Sequence, residues 1–255
     1  FSVHPRRVLR PEDPPVALFA REDLRERLQA LGVDCFIEQE FNSDLAKLSP
    51  DEFLHDWLGP LNLELIVVGP DFRFGSSREG DFSLLGAWAH RTGVRAIQVP
   101  AVMESGEPVS SSRIRLLLSQ GEVAPAATLL GRSYYHSGYV VRGAGRGRGL
   151  GVPTANVFLS SSPLRRGVYV TRLEIFGQKY PAISNLGVNP TFLGPDAELR
   201  LETHIFDWDQ DIYGELVRVE FVAFLRDEKK FSGLEELKTQ ILRDIHAARR
   251  LHGIG

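Results

Sequence analysis

Apolar residues in the first half of the chain recur at helical spacing and in short continuous runs, and the two kinds of segment alternate. Leu24, Leu28 and Leu31 share a helical face and Gly32 follows them, which predicts a helix with a glycine stop. Residues 33–37 then read as a short strand that holds Cys35, expected as a packed thiol. Ser49-Pro50-Asp51-Glu52 has the form of a capping box with proline at the first helical position, and it opens a second helix that Gly59 ends. Residues 63–68 are apolar except for Glu64, as expected of a strand buried on both faces. A helix over residues 82–92 with Gly93 behind it, a strand over 94–99, and a helix over 110–119 stopped by Gly121 complete the pattern. Strands separated by helices of this length predict right-handed crossovers and a doubly wound parallel sheet.

From Gly138 onward the period changes from that of helices to two. The runs are short and alternate, and glycine or proline separates them, which predicts antiparallel barrel strands. Leu199, Leu201, Thr203 and Ile205 would share one face of a strand, with Arg200, Glu202, His204 and Phe206 on the other. Residues 216–225 alternate in the same way. The tail returns to helix, with Ser232 and Glu235 as a capping box and Leu234, Leu237, Ile241, Ile245 and Ala248 as the apolar stripe. The expected organisation is α/β followed by β: a doubly wound domain over residues 1–127, then an antiparallel β-barrel with a C-terminal helix over 128–255.

Composition narrows the function classes. A chain of 255 residues, 43% hydrophobic and 25% charged, is globular and long enough for two domains. A net charge of −3 and a pI near 6.2 leave no basic footprint for general nucleic-acid binding, so any anionic ligand must be met locally. One cysteine allows no internal disulfide and no apolar run reaches the length of a membrane span, so no membrane partner is expected and a reducing cytoplasm is the expected location. The oligomeric state stays open, a homo-oligomer included.

The densest chemical signal is Gly143-Ala144-Gly145-Arg146-Gly147-Arg148-Gly149-Leu150-Gly151, followed by Val152-Pro153-Thr154-Ala155-Asn156. Glycines let backbone N–H groups approach phosphate oxygens closely, and Arg146 and Arg148 add charge. No Gly-Lys-Ser/Thr follows and no strand–turn–helix frames the run, so it is neither a P-loop nor a dinucleotide fingerprint. On spacing alone a phosphate cradle, a mobile loop and a short arginine–glycine RNA-binding segment all stay open. Thr154 and Asn156 place a hydroxyl and an amide oxygen, hard ligands suited to Mg²⁺, directly beside that loop. Glu202, taken alone, is a solvated strand carboxylate. Ser110-Ser111-Ser112-Arg113-Ile114-Arg115 puts three hydroxyls and two arginines at a helix start, which suits a triphosphate or, equally, a serine N-cap with two surface arginines.

Three stretches in order resemble the riboflavin kinase signature: Gly138 through Asn156, Asn185-Leu186-Gly187-Val188-Asn189-Pro190-Thr191-Phe192, and Leu201-Glu202-Thr203-His204-Ile205-Phe206-Asp207-Trp208. Upstream, Val68-Gly69-Pro70-Asp71-Phe72-Arg73-Phe74-Gly75 and Ser110 to Arg115 resemble the substrate loop and second nucleotide motif of FMN adenylyltransferase modules. The whole is similar to the bacterial bifunctional riboflavin kinase/FMN adenylyltransferases, the FAD synthetases. That resemblance implies ATP with Mg²⁺ as the phosphoryl donor, with riboflavin and FMN as substrates. Thr154 and Asn156 would be metal ligands and Glu202 the general base. The glycine loop with Arg146 would bind nucleotide, as would Ser110, Ser111, Ser112, Arg113 and Arg115, while Asp71, Phe72 and Phe74 would contact substrate. His204 is expected to be structural. The superfamily's first nucleotide motif, of His-x-Gly-His type, is absent from these residues: none of the seven histidines forms such a pair, and the resemblance implies that it lies upstream of Phe1. Without it, FMN adenylylation by these residues is not expected. Two other readings stand beside this one: a riboflavin kinase with a non-catalytic front domain, and a flavin- or RNA-binding regulatory module.

Overall fold

The computed structural model describes residues 1–12, 14–143, 146–149, 151–188 and 199–254, apart from the side chains of residues 146 and 148. Helices α1 (Pro5–Leu9), α2 (Arg21–Ala30), α3 (Ser43–Lys47) and α4 (Pro50–Glu52) come first, the last running on as a π-turn over Phe53–Leu58. Strand β1 (Leu65–Val68), helix α5 (Phe82–Thr92) and strand β2 (Arg95–Gln98) follow, then the two-residue strands β3 (Met103–Glu104) and β4 (Glu107–Pro108). Helices α6 (Ser111–Gln120) and α7 (Val123–Leu130) lead to β5 (Tyr135–Tyr139), the short α8 (Arg146–Gly149) and β6 (Ala155–Leu159). Strands β7 (Gly167–Ile175), β8 (Gln178–Val188), β9 (Leu199–Ile205) and β10 (Leu216–Arg226) precede the terminal α9 (Leu234–Leu251). These elements gather into two compact units, Phe1–Pro15 with Cys35–Val109, and Val16–Asp34 with Ser110–Gly255.

In the first unit β1 and β2 pair in parallel, Leu65 opposite Arg95 through Val68 opposite Gln98, with α5 as the crossover. The capping box forms as expected: the Ser49 hydroxyl accepts from the Glu52 amide, while the Glu52 carboxylate accepts from the Ser49 amide at 2.7 Å. Asp81 caps α5 through the Leu84 amide at 3.0 Å, and that hydrogen bond is the main reason its carboxyl is held below the usual range. Leu54, Val68, Phe74, Leu85, Trp88 and Ala89 form the core.

Three local expectations fail here. β1 is not buried on both faces: Val68 packs into the core, whereas Leu65 and Val67 are exposed. Successive strand side chains point to opposite faces, and among the described residues only one face is packed against a helix layer. Residues 33–37 form no strand and Cys35 is exposed, because a strand needs a ladder partner and none lies alongside among the described residues.

The second unit holds a six-stranded, fully antiparallel sheet in the order β5-β10-β7-β8-β9-β6, a nearly closed barrel. Leu201, Thr203 and Ile205 of β9 point inward and are buried, as the alternation predicts. A chain of buried hydroxyls crosses three strands inside: Thr171 to Ser184 at 2.8 Å and Ser184 to Thr203 at 2.8 Å. Each hydroxyl thereby satisfies another, which lets polar groups sit in an apolar core. Helix α9 packs its stripe on the sheet, with Ile245 and Ala248 against Val168, Val170 and Ile183. Its N-cap is Gly233, not Ser232; the Ser232 amide and hydroxyl instead donate to Glu236, one residue beyond the expected partner.

Candidate active site

The antiparallel register aligns residues that lie far apart in sequence. Val141 bridges to Asn156, Asn156 stands opposite Glu202, Glu202 opposite Asn185, Asn185 opposite Val168, and Val168 opposite Arg226. This one cross-strand row puts an amide, a carboxylate and a second amide side by side on the same face of the sheet. The flanking pairs are Phe158 with Arg200, and Arg200 with Gly187. Above this face lies a cavity of about 380 Å³ that Thr154, Asn156, Asn185, Arg200, Glu202 and His204 line on the polar side. Val168, Ile183, Phe231, Leu237, Ile241 and Ile245 form its apolar wall.

Thr154 and Asn156 are set by their neighbours. Asn156 is 4% exposed, and its Nδ2 donates to the Thr154 carbonyl at 3.2 Å, which leaves Oδ1 as the acceptor available to a ligand. A Cβ at Gly143 would stand 2.6 Å from the Asn156 carboxamide, and one at Gly147 would collide with the Val152 carbonyl. The glycine loop can therefore lie against the Thr154–Asn156 corner only because these two positions lack side chains. His204 Nδ1 lies 2.8 Å from the Pro153 carbonyl. A carbonyl only accepts, so Nδ1 carries the proton, and the ring holds the Pro153–Thr154 turn in place. Burial, the largest cause, pushes the His204 pKa down and favours the neutral ring.

On the far side Arg226 grips Asp244 of α9 through contacts of 2.6, 3.0 and 3.1 Å, and Gln240 donates to the same carboxylate at 2.8 Å. This bidentate pair ties the terminal helix to the C-terminal end of β10 and fixes the wall of the cavity. Burial raises the pKa of Glu228, another lining residue, against the opposing pull of Arg166 and Arg226.

The donor set fits a nucleotide-bound divalent cation. Thr154 and Asn156 offer two neutral oxygens, and no group of three His, Cys, Asp or Glu side chains able to hold a metal occurs among the described residues. Such a pair suits an ion that takes its other ligands from phosphate and water, as Mg²⁺ does.

The remaining sequence candidates are distributed as follows. Gly149 and Gly151 lie in and just after α8, Gly151 with φ of 75°, whereas Gly145 and the side chain of Arg146 fall outside the described residues. Residues 189–192 of the second kinase-like stretch fall outside them as well. Asp71 is exposed, Phe72 half-buried and Phe74 buried in the first unit's core, with the Phe72 and Phe74 rings 5.5 Å apart. Ser110 caps α6 by accepting from the Arg113 amide at 3.2 Å, and Ser111 and Ser112 are exposed beside it. Arg115 donates to the Val16 carbonyl at 2.6 Å. Asp71, Phe72 and Phe74 thus belong to the first unit and the Ser110–Arg115 segment to the second.

Comparison with known proteins matches both halves of the chain. A riboflavin kinase family model covers residues 130–252, and an FAD synthetase model covers residues 1–113. The Bacillus subtilis bifunctional riboflavin kinase/FMN adenylyltransferase is 34% identical over 98% of this chain and 80% of its own length. That of Pseudomonas fluorescens is 39% identical over 98% of this chain and 81% of its own. The chain belongs to the bifunctional riboflavin kinase/FMN adenylyltransferase family. A solved structure named as a macrolide-efflux protein from Streptococcus pneumoniae superposes with a TM-score of 0.83 at 33% identity, covering 97% of this chain and 81% of that one. No helix among the described residues is long and apolar enough to cross a membrane.

For a member of this family, Asn185, Arg200, Arg226 and Glu228 are cavity residues that sequence reasoning did not single out. Asn185 and Gly187 lay inside a quoted stretch, so their neighbourhood was visible. Strand alternation already put Arg200 on the face of Glu202, whereas Arg226 and Glu228 carried no pattern signal, since only cross-strand register and the docking of α9 bring them to the cavity.

Proposed function

We propose that this chain phosphorylates riboflavin to FMN with ATP, and that its front domain, when it includes the His-x-Gly-His type motif, adenylylates FMN to FAD with release of pyrophosphate. The kinase activity belongs to residues 128–255 and the adenylyl transfer to residues 1–127. The observation that carries the kinase assignment is the cross-strand row in which Asn156, Glu202 and Asn185 line one cavity. Backbone N–H groups of the glycine loop bind the phosphates, and Thr154 and Asn156 would hold the Mg²⁺ that accompanies ATP through their side-chain oxygens. The bound ion neutralises phosphate charge. The apolar wall from α9 and β7 receives the flavin ring and turns the ribityl chain toward Glu202. The carboxylate of Glu202 takes the proton of the terminal ribityl hydroxyl as that oxygen bonds to the γ-phosphorus and the bond to ADP breaks. In the front domain Asp71 and Phe72 contact the second reaction's substrates, with Phe74 held in the core beside them.

The test is a product assay with riboflavin, ATP and Mg²⁺ that separates riboflavin, FMN and FAD, run on the parent chain and on Asn156→Ala. FMN from the parent, with about tenfold or greater weakening of productive ATP·Mg²⁺ use in the variant and little change in riboflavin affinity, is the expected result. A parent chain that binds flavin but never turns over would favour the regulatory module instead.

A further inference from the structure

Arg200 is placed and solvated unlike Arg226, the other guanidinium that lines the cavity among the described residues. It stands two residues before Glu202 on the same face of β9, opposite Phe158 on β6 and Gly187 on β8. Its guanidinium lies 4.9 Å over the Phe158 ring, which takes one face of the cation out of water. The Arg200 side chain is 13% exposed, against 41% for its acidic neighbour Glu202. Nη1 lies 3.7 Å from Glu202 Oε1, a charge contact but too long for a good hydrogen bond. Nε is buried and meets no acceptor among the described residues.

Arg226, on the same cavity, shows what a structural arginine looks like here. Its donors reach Asp244 at 2.6 to 3.1 Å and the Asp227 carbonyl at 2.8 Å. A desolvated guanidinium whose Nε–H is idle and whose partners among the described residues are an aromatic face and a long ion pair is costly, since an unmet buried donor loses on the order of 1–3 kcal/mol. Such a group is stabilised when an anion enters. On the kinase reading the anion that the neighbouring residues receive is phosphate, and planar donor forks suit phosphate oxygens.

We propose that Arg200 is a further catalytic residue of the phosphoryl transfer, donating through its guanidinium to a non-bridging oxygen of the phosphoryl group as it passes from ATP to the ribityl oxygen. The inference rests on the kinase reading given above. Arg200 stays protonated throughout: the new bond joins the ribityl oxygen to phosphorus, the bond to ADP breaks, and the proton goes to Glu202. Because the negative charge borne by the moving group and its neighbouring oxygens must be met by fixed donors, a prepositioned cation acts on turnover more than on flavin binding.

The test uses the full chain with riboflavin, ATP and Mg²⁺. Arg200→Gln should lower kcat by about thirtyfold or more, with KM for riboflavin within about threefold of the parent. Turnover of Arg200→Ala should rise about tenfold or more on addition of millimolar guanidinium or methylguanidinium, and Arg200→Lys should exceed Arg200→Gln. Thermal unfolding midpoints of the variants, measured alongside, report the fold. Turnover of Arg200→Gln within threefold of the parent overturns the proposal. So does a loss that neither lysine nor free guanidinium relieves, because a purely structural arginine would behave that way. A parent chain that makes no FMN would sink the kinase reading, and this inference with it, whereas an active parent leaves the variants to decide on Arg200 alone.

Discussion

The barrel and the parallel two-stranded sheet use strands in opposite ways. In the barrel every one of six strands has a ladder neighbour, its inner residues Leu173, Leu186 and Leu201 are fully buried, and its outer face carries the candidate chemistry in register. In the first unit two strands pair over four residues, one face packs on α5, and Val67 on the other is 53% exposed. The contrast teaches that a β-site is made by register. Where five ladders run antiparallel, residues from six segments meet in a row; beside the short parallel ladder, the candidate loop residues are held by their own turn, as Phe74 and Gly80 are by reciprocal amide–carbonyl bonds of 3.2 and 2.9 Å.

The largest effect should separate the two regions by stability. Leu201→Ala removes a side chain with no exposed surface and should cost about 2–5 kcal/mol, whereas Val67→Ala should stay within about 0.5 kcal/mol. Denaturant unfolding of both variants reads this directly, and similar losses in the two would erase the contrast.

Next in size, Glu202→Gln should lower riboflavin phosphorylation by about a hundredfold or more, with riboflavin and ATP affinities nearly unchanged. Phe72→Ala, in the other unit, should leave phosphorylation within about twofold. Steady-state kinetics of the two variants decides it: turnover by Glu202→Gln within a few-fold of the parent would return that residue to the status of a solvated strand carboxylate.

The smallest effect concerns His136 on β5, which lies 2.7 Å from the Ser162 hydroxyl and whose pKa burial pushes down to about 4. The unfolded chain takes up that proton near pH 6.5 while the folded one resists it. The stability contribution is therefore full above about pH 6.5 and falls away as the pH drops toward 4, by on the order of 2 kcal/mol. Trp208 reports the barrel and Trp57 and Trp88 the first unit, so fluorescence-detected unfolding of a W57F/W88F chain isolates it. His136→Gln should flatten the barrel's pH slope, and an unchanged slope would assign it to other groups.

Much of the fold was legible because its causes are local. The Ser49 capping box, the Gly93 and Gly121 stops and the two-residue period of β9 depend on neighbours within a few positions, and each appears where expected. Residues 33–37, the second face of β1 and the Ser232 cap were misread because each depends on a partner outside the local segment or on which of two nearby glutamates is reached.

By itself the sequence determined which segments carry hard oxygen donors, a strand carboxylate and a glycine loop, because side-chain chemistry and the steric freedom of glycine are properties of single residues. It also determined that Glu202 and Arg200 share a face, since strand parity follows from the backbone pleat. Only the tertiary structure decided that Asn156 and Asn185 flank Glu202, that Arg200 lies over Phe158 with its Nε unmatched, and that α9 walls the cavity. The reason is physical: a one-residue slip of any ladder would leave each segment's pattern intact yet turn its chemistry to the other face, and what holds the register is the buried side opposite the site.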